Sequence, residues 1–294
     1  MSFTEEDSAQ GFPINLGSTT EIIGRFHDKL MVRRPIDWEA LRSRDYDDDL
    51  RQQARREWAS RAVAEYYSTS QFSQLTHRLC LLGAPVELIG ASTRLATDEC
   101  RHAELCAKVA DVLGGRDEIH VGDEQLSMYD DISDLWLAVY LSILQLCCFG
   151  ETLSVPILRA MEVVTNDPTI EAVAGVIAAD EGYHMNFGWE SLKWMTPRLD
   201  DDQRAAVRER VPGLIASFER VCRAGPEVLQ DLAGSELIVE EDDAPNLGTL
   251  SSEQYAGIFY HCIETDILPR LQSLGFDTRA IWEERLVEVE EHKI

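Results

Sequence analysis

The pattern Asp-Glu-x-x-His occurs twice in this chain, at Asp98–His102 and at Asp180–His184. Residues three apart share one face of a helix, so Glu99 and His102 project together, as do Glu181 and His184. The face that carries the first pair continues through Leu88, Ser92, Leu95, Cys106, Val109 and Leu113; the second continues through Ile170, Ile177, Gly188 and Met195. Both stripes are otherwise apolar or small, which turns the Glu and the His toward a core. A buried carboxylate beside a buried imidazole is costly unless something compensates both, and a bound metal ion does so well.

The rest of the chain reads as helices in series. Residues 1 to about 20 are polar and are expected to be flexible; Ile22 to Leu41 holds a short helix or an arm. Long helices are expected at about Asp48–Leu82, ended by Gly83-Ala84-Pro85, and at Val86–Leu113, ended by Gly114-Gly115. Residues 116 to 130 form a polar crossover. The third helix, Ser133–Val164, is apolar nearly all round, as a buried helix is, with Glu151 the one acid in its apolar stretch and Pro156 expected to kink it. Gly150 and Pro156 around Glu151 leave room for either a π-bulge or a shift of that carboxylate. Asn166-Asp167-Pro168 stops it and starts a fourth helix reaching Trp194. Further helices are expected at Asp201–Ala224, Ser251–Leu274 and Thr278–His292, with an acidic loop at Val239–Pro245. The fold class is therefore all-α: an arm (1–47), a four-helix segment (48–196) and C-terminal helices packed on it (197–294), as a single domain overall.

The lone acids Glu65 and Glu151 complete the pattern. Glu65 lies 18 residues before Gly83 and Glu99 lies 16 after it; Glu151 lies 15 before Asn166 and Glu181 lies 15 after it. In two antiparallel hairpins these offsets put each lone Glu within ~3 Å of the height of its Glu-x-x-His partner. Four carboxylates and two imidazoles then share one depth, the ligand set for two iron or manganese ions. No Arg or Lys lies on the stripes to neutralise these acids, which disfavours a metal-free bundle with buried ion pairs.

This order of E, ExxH, E, ExxH on four helices resembles the ferritin-like di-iron carboxylate superfamily over about residues 48 to 196, and Asp98-Glu99-Cys100-Arg101-His102 resembles the monooxygenase form DExRH. The resemblance implies that Glu65, Glu99 and His102 bind one metal and Glu151, Glu181 and His184 the other, with Glu99 and Glu181 bridging. It implies outer positions for Asp98, Asp180 and Arg101, with Asp98 hydrogen-bonding His184 and Asp180 hydrogen-bonding His102. It implies two iron ions, with manganese in one or both sites left open, and O2 as co-substrate. Cys106 stands where a radical-storing reductase subunit has Tyr, Ile177 where the N-oxygenases have an extra His, and the iron site of rubrerythrins has no CxxC here.

The expected activity is an O2-dependent oxygenase or oxidase acting on a small organic molecule by hydroxylation, N-oxygenation or desaturation. The alternatives are iron or peroxide handling without an organic substrate, and a non-enzymatic bundle. Leu95, Cys106, Leu144, Cys148, Val155 and Ile177 are the expected apolar lining of a substrate pocket. The chain shows neither a GxGxxG signature nor iron–sulfur cysteines, so the expected electron donor is a separate ferredoxin or reductase; a homodimer is left open.

Composition bounds the partners. With 27 Lys and Arg against 53 Asp and Glu, the net charge of −26 repels nucleic acid and anionic membranes. No apolar run reaches the roughly 18 residues of a membrane span; the longest is broken by Tyr140, Ser142 and Gln145. Seven scattered cysteines without a CxxC pair fit reduced core thiols, and the polar N-terminus lacks signal-peptide character, so a cytoplasmic protein is expected.

Overall fold

The computed structural model describes residues 11–115, 120–123, 125–225 and 244–291, the last five of these by backbone alone. Among them the architecture is almost entirely helical. Residues 239–243 of the acidic loop and residues 116–119 and 124 of the crossover lie outside the described residues. By internal packing the chain divides into two compact units: Met1–Met128 with Met161–Asp180 and Glu241–Thr249, and Tyr129–Ala160 with Glu181–Glu240 and Leu250–Ile294.

The first unit is built on a helical hairpin, α3 (Asp48–Leu81) and α4 (Val86–Val112). Asp47 starts α3 by accepting from the amides of Asp49 and Leu50, and Gly83, at φ +64°, makes the turn that a side chain resists. The hairpin register is fixed in part by Thr76 and Ser92, whose hydroxyls lie 2.7 Å apart. Trp58, Phe72, Leu75, Leu79, Leu95 and Val109 are among the side chains it buries. Two short helices precede it, α1 (Glu21–Met31) and α2 (Trp38–Ser43), where the sequence leaves one helix or an arm. Arg33-Arg34-Pro35 separates them, because the residue before proline is pushed out of helical geometry.

Residues 1–10 of the N-terminal stretch lie outside the described residues, and those that follow make contacts of their own. Phe12–Pro13 (β1) pairs antiparallel with His120–Val121 (β2), Phe12 meets Tyr66 edge-on at 5.9 Å, and Ile14 is buried. Tyr67 reinforces the strand pair by accepting from the Gly122 amide at 3.0 Å.

The second unit centres on the apolar run. The expected single helix is three segments: α5 (Leu135–Ile143), a π-helix (Leu144–Glu151) and α6 (Thr152–Val164). The π-helix ends at Glu151, and of the two expectations there, a π-bulge or a carboxylate shift, the backbone shows the wider turn. Pro156 removes the donor that the Thr152 carbonyl would receive in a helix; that carbonyl instead accepts from Cys262 Sγ at 3.2 Å. Across from this run lies the second half of α7 (Pro168–Met195). Trp189 donates to Thr152 Oγ1 at 3.0 Å, the Tyr140 and Thr196 hydroxyls are 2.9 Å apart, and Trp136 stacks on Trp194. Helix α8 (Asp201–Val221), α9 (Ser252–Cys262), a second π-helix (Ile263–Ile267), α10 (Leu268–Ser273) and α11 (Thr278–Glu291) complete the unit. Helices α8 and α11 pack together around Glu219, which is buried and accepts from the Tyr260 hydroxyl at 2.7 Å, with Arg285 at 3.5 Å.

The span Leu135–Val164 is long and apolar enough to cross a membrane by composition, contrary to the reading from uninterrupted runs, but 72% of its most apolar window is buried inside the protein. It has the burial of a core helix.

Candidate metal centre

Each unit carries one buried triad. In the first, Glu65 on α3 meets Glu99 and His102 on α4, and His102 Nδ1 lies 3.8 Å from Glu65 Oε2 and 3.9 Å from Glu99 Oε1. In the second, His184 Nδ1 lies 2.8 Å from Glu181 Oε2 and 3.8 Å from Glu151 Oε1. All six residues are buried, and both imidazoles are fully so. Within each triad the donor atoms lie within 4.8 Å of one another.

The triads form for the reasons visible in the pattern. The i, i+3 spacing fixes each Glu–His pair on one helix, and the tight hairpin connection brings Glu65 level with His102. The donors are hard carboxylate oxygens with borderline imidazole nitrogens, in apolar surroundings that would hold negative charge poorly without a cation. Such buried Glu and His groups could hold a metal ion, and the donor chemistry of both triads fits one.

Behind the first triad lies a charged cluster. Asp180 accepts a hydrogen bond from His102 Nε2 at 3.4 Å and from Arg101 Nη1 at 2.7 Å. The same Arg101 nitrogen reaches Asp98 Oδ1 at 2.6 Å, while Nε and Nη2 donate to the carbonyls of Met31 and Leu30 at 2.9 and 2.7 Å. Arg94 Nε adds a bond to Asp98 Oδ2 at 3.0 Å, and Arg33 Nη2 one to Asp98 Oδ1 at 3.2 Å. Both outer guanidiniums stand 3.6 Å from Asp180 Oδ1. Burial acts to raise the Asp180 pKa, but its bond from His102 and the charges of His102 and Arg101 prevail and hold it below the usual carboxylate value. An Asp on Nε2 fixes the tautomer that leaves Nδ1 to face the carboxylates.

Arg94 and Arg33 were not singled out from the sequence. Arg94 was legible as the i, i+4 partner of Asp98, but it lies off the ligand stripes. Arg33, 65 positions away in the arm, left no local signal. The Asp residues thus have arginine partners although the stripes contain none.

Of the residues expected to line a substrate pocket, Leu95, Cys106, Leu144, Cys148 and Ile177 are fully buried core positions and Val155 is half-buried. Burial holds the Cys148 thiol well above its ordinary pKa, so it packs as a neutral apolar group. None of the six lines the cleft that opens beside α1. All seven cysteines are free thiols.

Comparison of the chain with known protein families, with curated proteins and with solved structures returns no match.

Proposed function

We propose that the two triads form one dinuclear centre in a ferritin-like four-helix bundle, and that the protein is an O2-activating di-iron oxygenase or oxidase acting on a small organic substrate. The observation that carries this reading is the duplicated buried Glu-Glu-His triad.

In this reading Glu65, Glu99 and His102 would hold one ion and Glu151, Glu181 and His184 the other. A reduced iron pair would supply a place to activate dioxygen for oxidation of an organic molecule. The chain's own residues supply the rest. Asp180 holds the proton of His102 on Nε2 and orients the ring. Arg101 keeps both Asp side chains ionised and in position. The fully buried Leu95, Cys106, Leu144 and Ile177 exclude water. The π-helix that ends at Glu151 gives that carboxylate a turn wider than an α-helix allows, so it is the ligand best placed to change its binding mode. Electrons would come from a separate ferredoxin or reductase.

The test is metal content and visible absorption after anaerobic Fe(II) loading and exposure to O2, with Glu99→Ala and His184→Ala beside the wild type. About two irons per chain and an O2-dependent absorption change lost in both variants support the reading. Wild type without stoichiometric metal overturns it. Iron accumulating well beyond two per chain, with no response to any organic substrate, would favour iron handling instead.

A further inference from the structure

A cleft of about 110 Å³ opens beside α1, between the arm and α4. Its lining reverses the charge balance of the chain. Arg33, Arg34, Arg101 and Lys108 face it, with His27, against only Asp28 and Glu104, whereas the whole sequence has 27 basic to 53 acidic residues. Both oxygens of Glu104 are already engaged, Oε2 with His27 Nε2 at 2.8 Å and Oε1 with Lys108 Nζ at 2.6 Å. Arg33 meets Asp98 and Asp180 through Nη2 alone, and its side chain is 46% exposed. Arg34 donates Nη2 to the Ala172 carbonyl, beside Glu162. A guanidinium has five donors, so both arginines retain capacity for a further acceptor. Met31, Ile36, Trp38, Leu105 and Val176 supply apolar wall.

We propose that this cleft binds a small organic carboxylate, its anionic head on Arg33 and Arg34 with Lys108 nearby, and its apolar body against Trp38, Ile36 and Leu105. The planar arginine fork matches a carboxylate in two-point geometry. The volume suits one aromatic ring or a short chain, close to the size of a cavity that accepts benzene. An anion reaches this place against the field of an acidic protein, so binding comes from local contacts rather than long-range steering. Arg101, the group that holds Asp98 and Asp180, is among the lining residues, so an occupant would sit one residue away from the partner of His102. The inference rests on the cleft and not on the metal reading, and its test needs no metal.

The probe is 4-iodobenzoate, titrated into the full-length metal-free protein by calorimetry and by quenching of tryptophan fluorescence, with 4-iodobenzyl alcohol and inorganic sulfate as controls. The expected result is saturable one-site binding of the carboxylate, at least tenfold weaker for Arg34→Gln and for the alcohol, with sulfate weaker still. Trp38→Phe should remove most of the quenching while calorimetry still records binding. Lys108→Gln, whose side chain is 42% exposed and can be changed without disturbing the core, should weaken binding severalfold. Equal affinity for acid and alcohol would overturn the proposal, as would binding unaffected by either charge variant or no binding at all. Sulfate binding as tight as the carboxylate would also overturn it, leaving a site for any anion. Iron loading that fails while carboxylate binding persists would sink the metal reading and leave this one standing.

Discussion

Arg101 bonds two buried carboxylates at once, and its removal gives a quantitative test. In Arg101→Leu the buried carboxylates Asp98 and Asp180 each lose a short bond, of 2.6 and 2.7 Å, and the carbonyls of Leu30 and Met31 lose their donor. Breaking a buried charge pair by deleting one partner costs about 3–5 kcal/mol, because the survivor is left uncompensated. Here Arg33 and Arg94 remain, at 3.0–3.6 Å from the two Asp side chains, but both are close to half exposed. The α1 carbonyls can turn to water, so their loss adds little. The low end, about 3 kcal/mol, is therefore expected, equivalent to a fall in Tm of roughly 6–12 °C in a chain of this size. The assay is reversible urea unfolding of the metal-free protein followed by circular dichroism, with the triple variant Arg101→Leu/Asp98→Asn/Asp180→Asn alongside. If compensation of charge is the cause, neutralising the two acids recovers at least half of the loss. A single variant within 1 kcal/mol of wild type, or a triple variant no better than the single, would refute the reasoning.

Three further outcomes are expected. A Cβ at Gly188 would overlap Cys147 Cβ and stand 3.1 Å from Cys148 Sγ, so Gly188→Ala should destabilise by about 2–3 kcal/mol through forced separation of α7 from the π-helix, read by chemical denaturation. Gly248 has φ +78° and its added Cβ would lie 2.9 Å from Ile170 Cγ2, so Gly248→Ala combines left-handed strain with crowding and should cost about 2–4 kcal/mol in the same assay. The third concerns pH: burial acts to raise the Asp134 pKa, but bonds from Gln203 and from the α5 amides win, leaving it below 3.8 when folded. Its stabilisation is therefore present above 3.8 and lost as pH falls through the lower folded value; Asp134→Ala should cost ~1 kcal/mol at pH 7 as a lost cap, and the difference from wild type should shrink below pH 3.8 in an acid titration of Tm.

The helices were legible wherever the chain marks their ends chemically. Gly83-Ala84-Pro85 closes α3 because Gly83 adopts positive φ, and Asp167 starts α7 because its Oδ1 accepts from the amides of Thr169 and Ile170. The same Asp167 is also gripped by Tyr46 and Arg44, which no local pattern announces. The three-part character of the apolar run was visible only at Glu151. A helix that is apolar all round has no polar face to show where the turn widens, so the start of the π-helix at Leu144 left no trace in periodicity. The arm was underestimated for a related reason. Phe12 and Ile14 look like isolated apolar residues in a polar stretch until Tyr66 and Val121, distant in sequence, come beside them. Among the candidate ligands, periodicity and hairpin offset together were enough to pair Glu65 with His102 and Glu151 with His184.

The buried acids fall into two classes, and the difference predicts opposite responses to neutralisation. Asp98 and Asp180 lie among three guanidiniums, so they are held as anions and Asp→Asn should cost stability. Glu65 and Glu99 instead have oxygens within 4.8 Å of one another around a single imidazole. Two like charges at that separation repel by about 3–4 kcal/mol at an effective dielectric of 20. Glu99→Gln, which removes one of the two charges, should therefore leave the metal-free protein at least as stable as wild type. With Fe(II) under anaerobic conditions the order should invert. An ion at 100 times its Kd stabilises the wild type by about 2.7 kcal/mol, and a variant that has lost a ligand gains much less. Thermal unfolding of the wild type and the variant, each with and without metal, measures all four quantities. A metal-free Glu99→Gln protein less stable than wild type by more than 1 kcal/mol would mean that Glu99 serves the fold, and the case for a metal at that triad would fail with it.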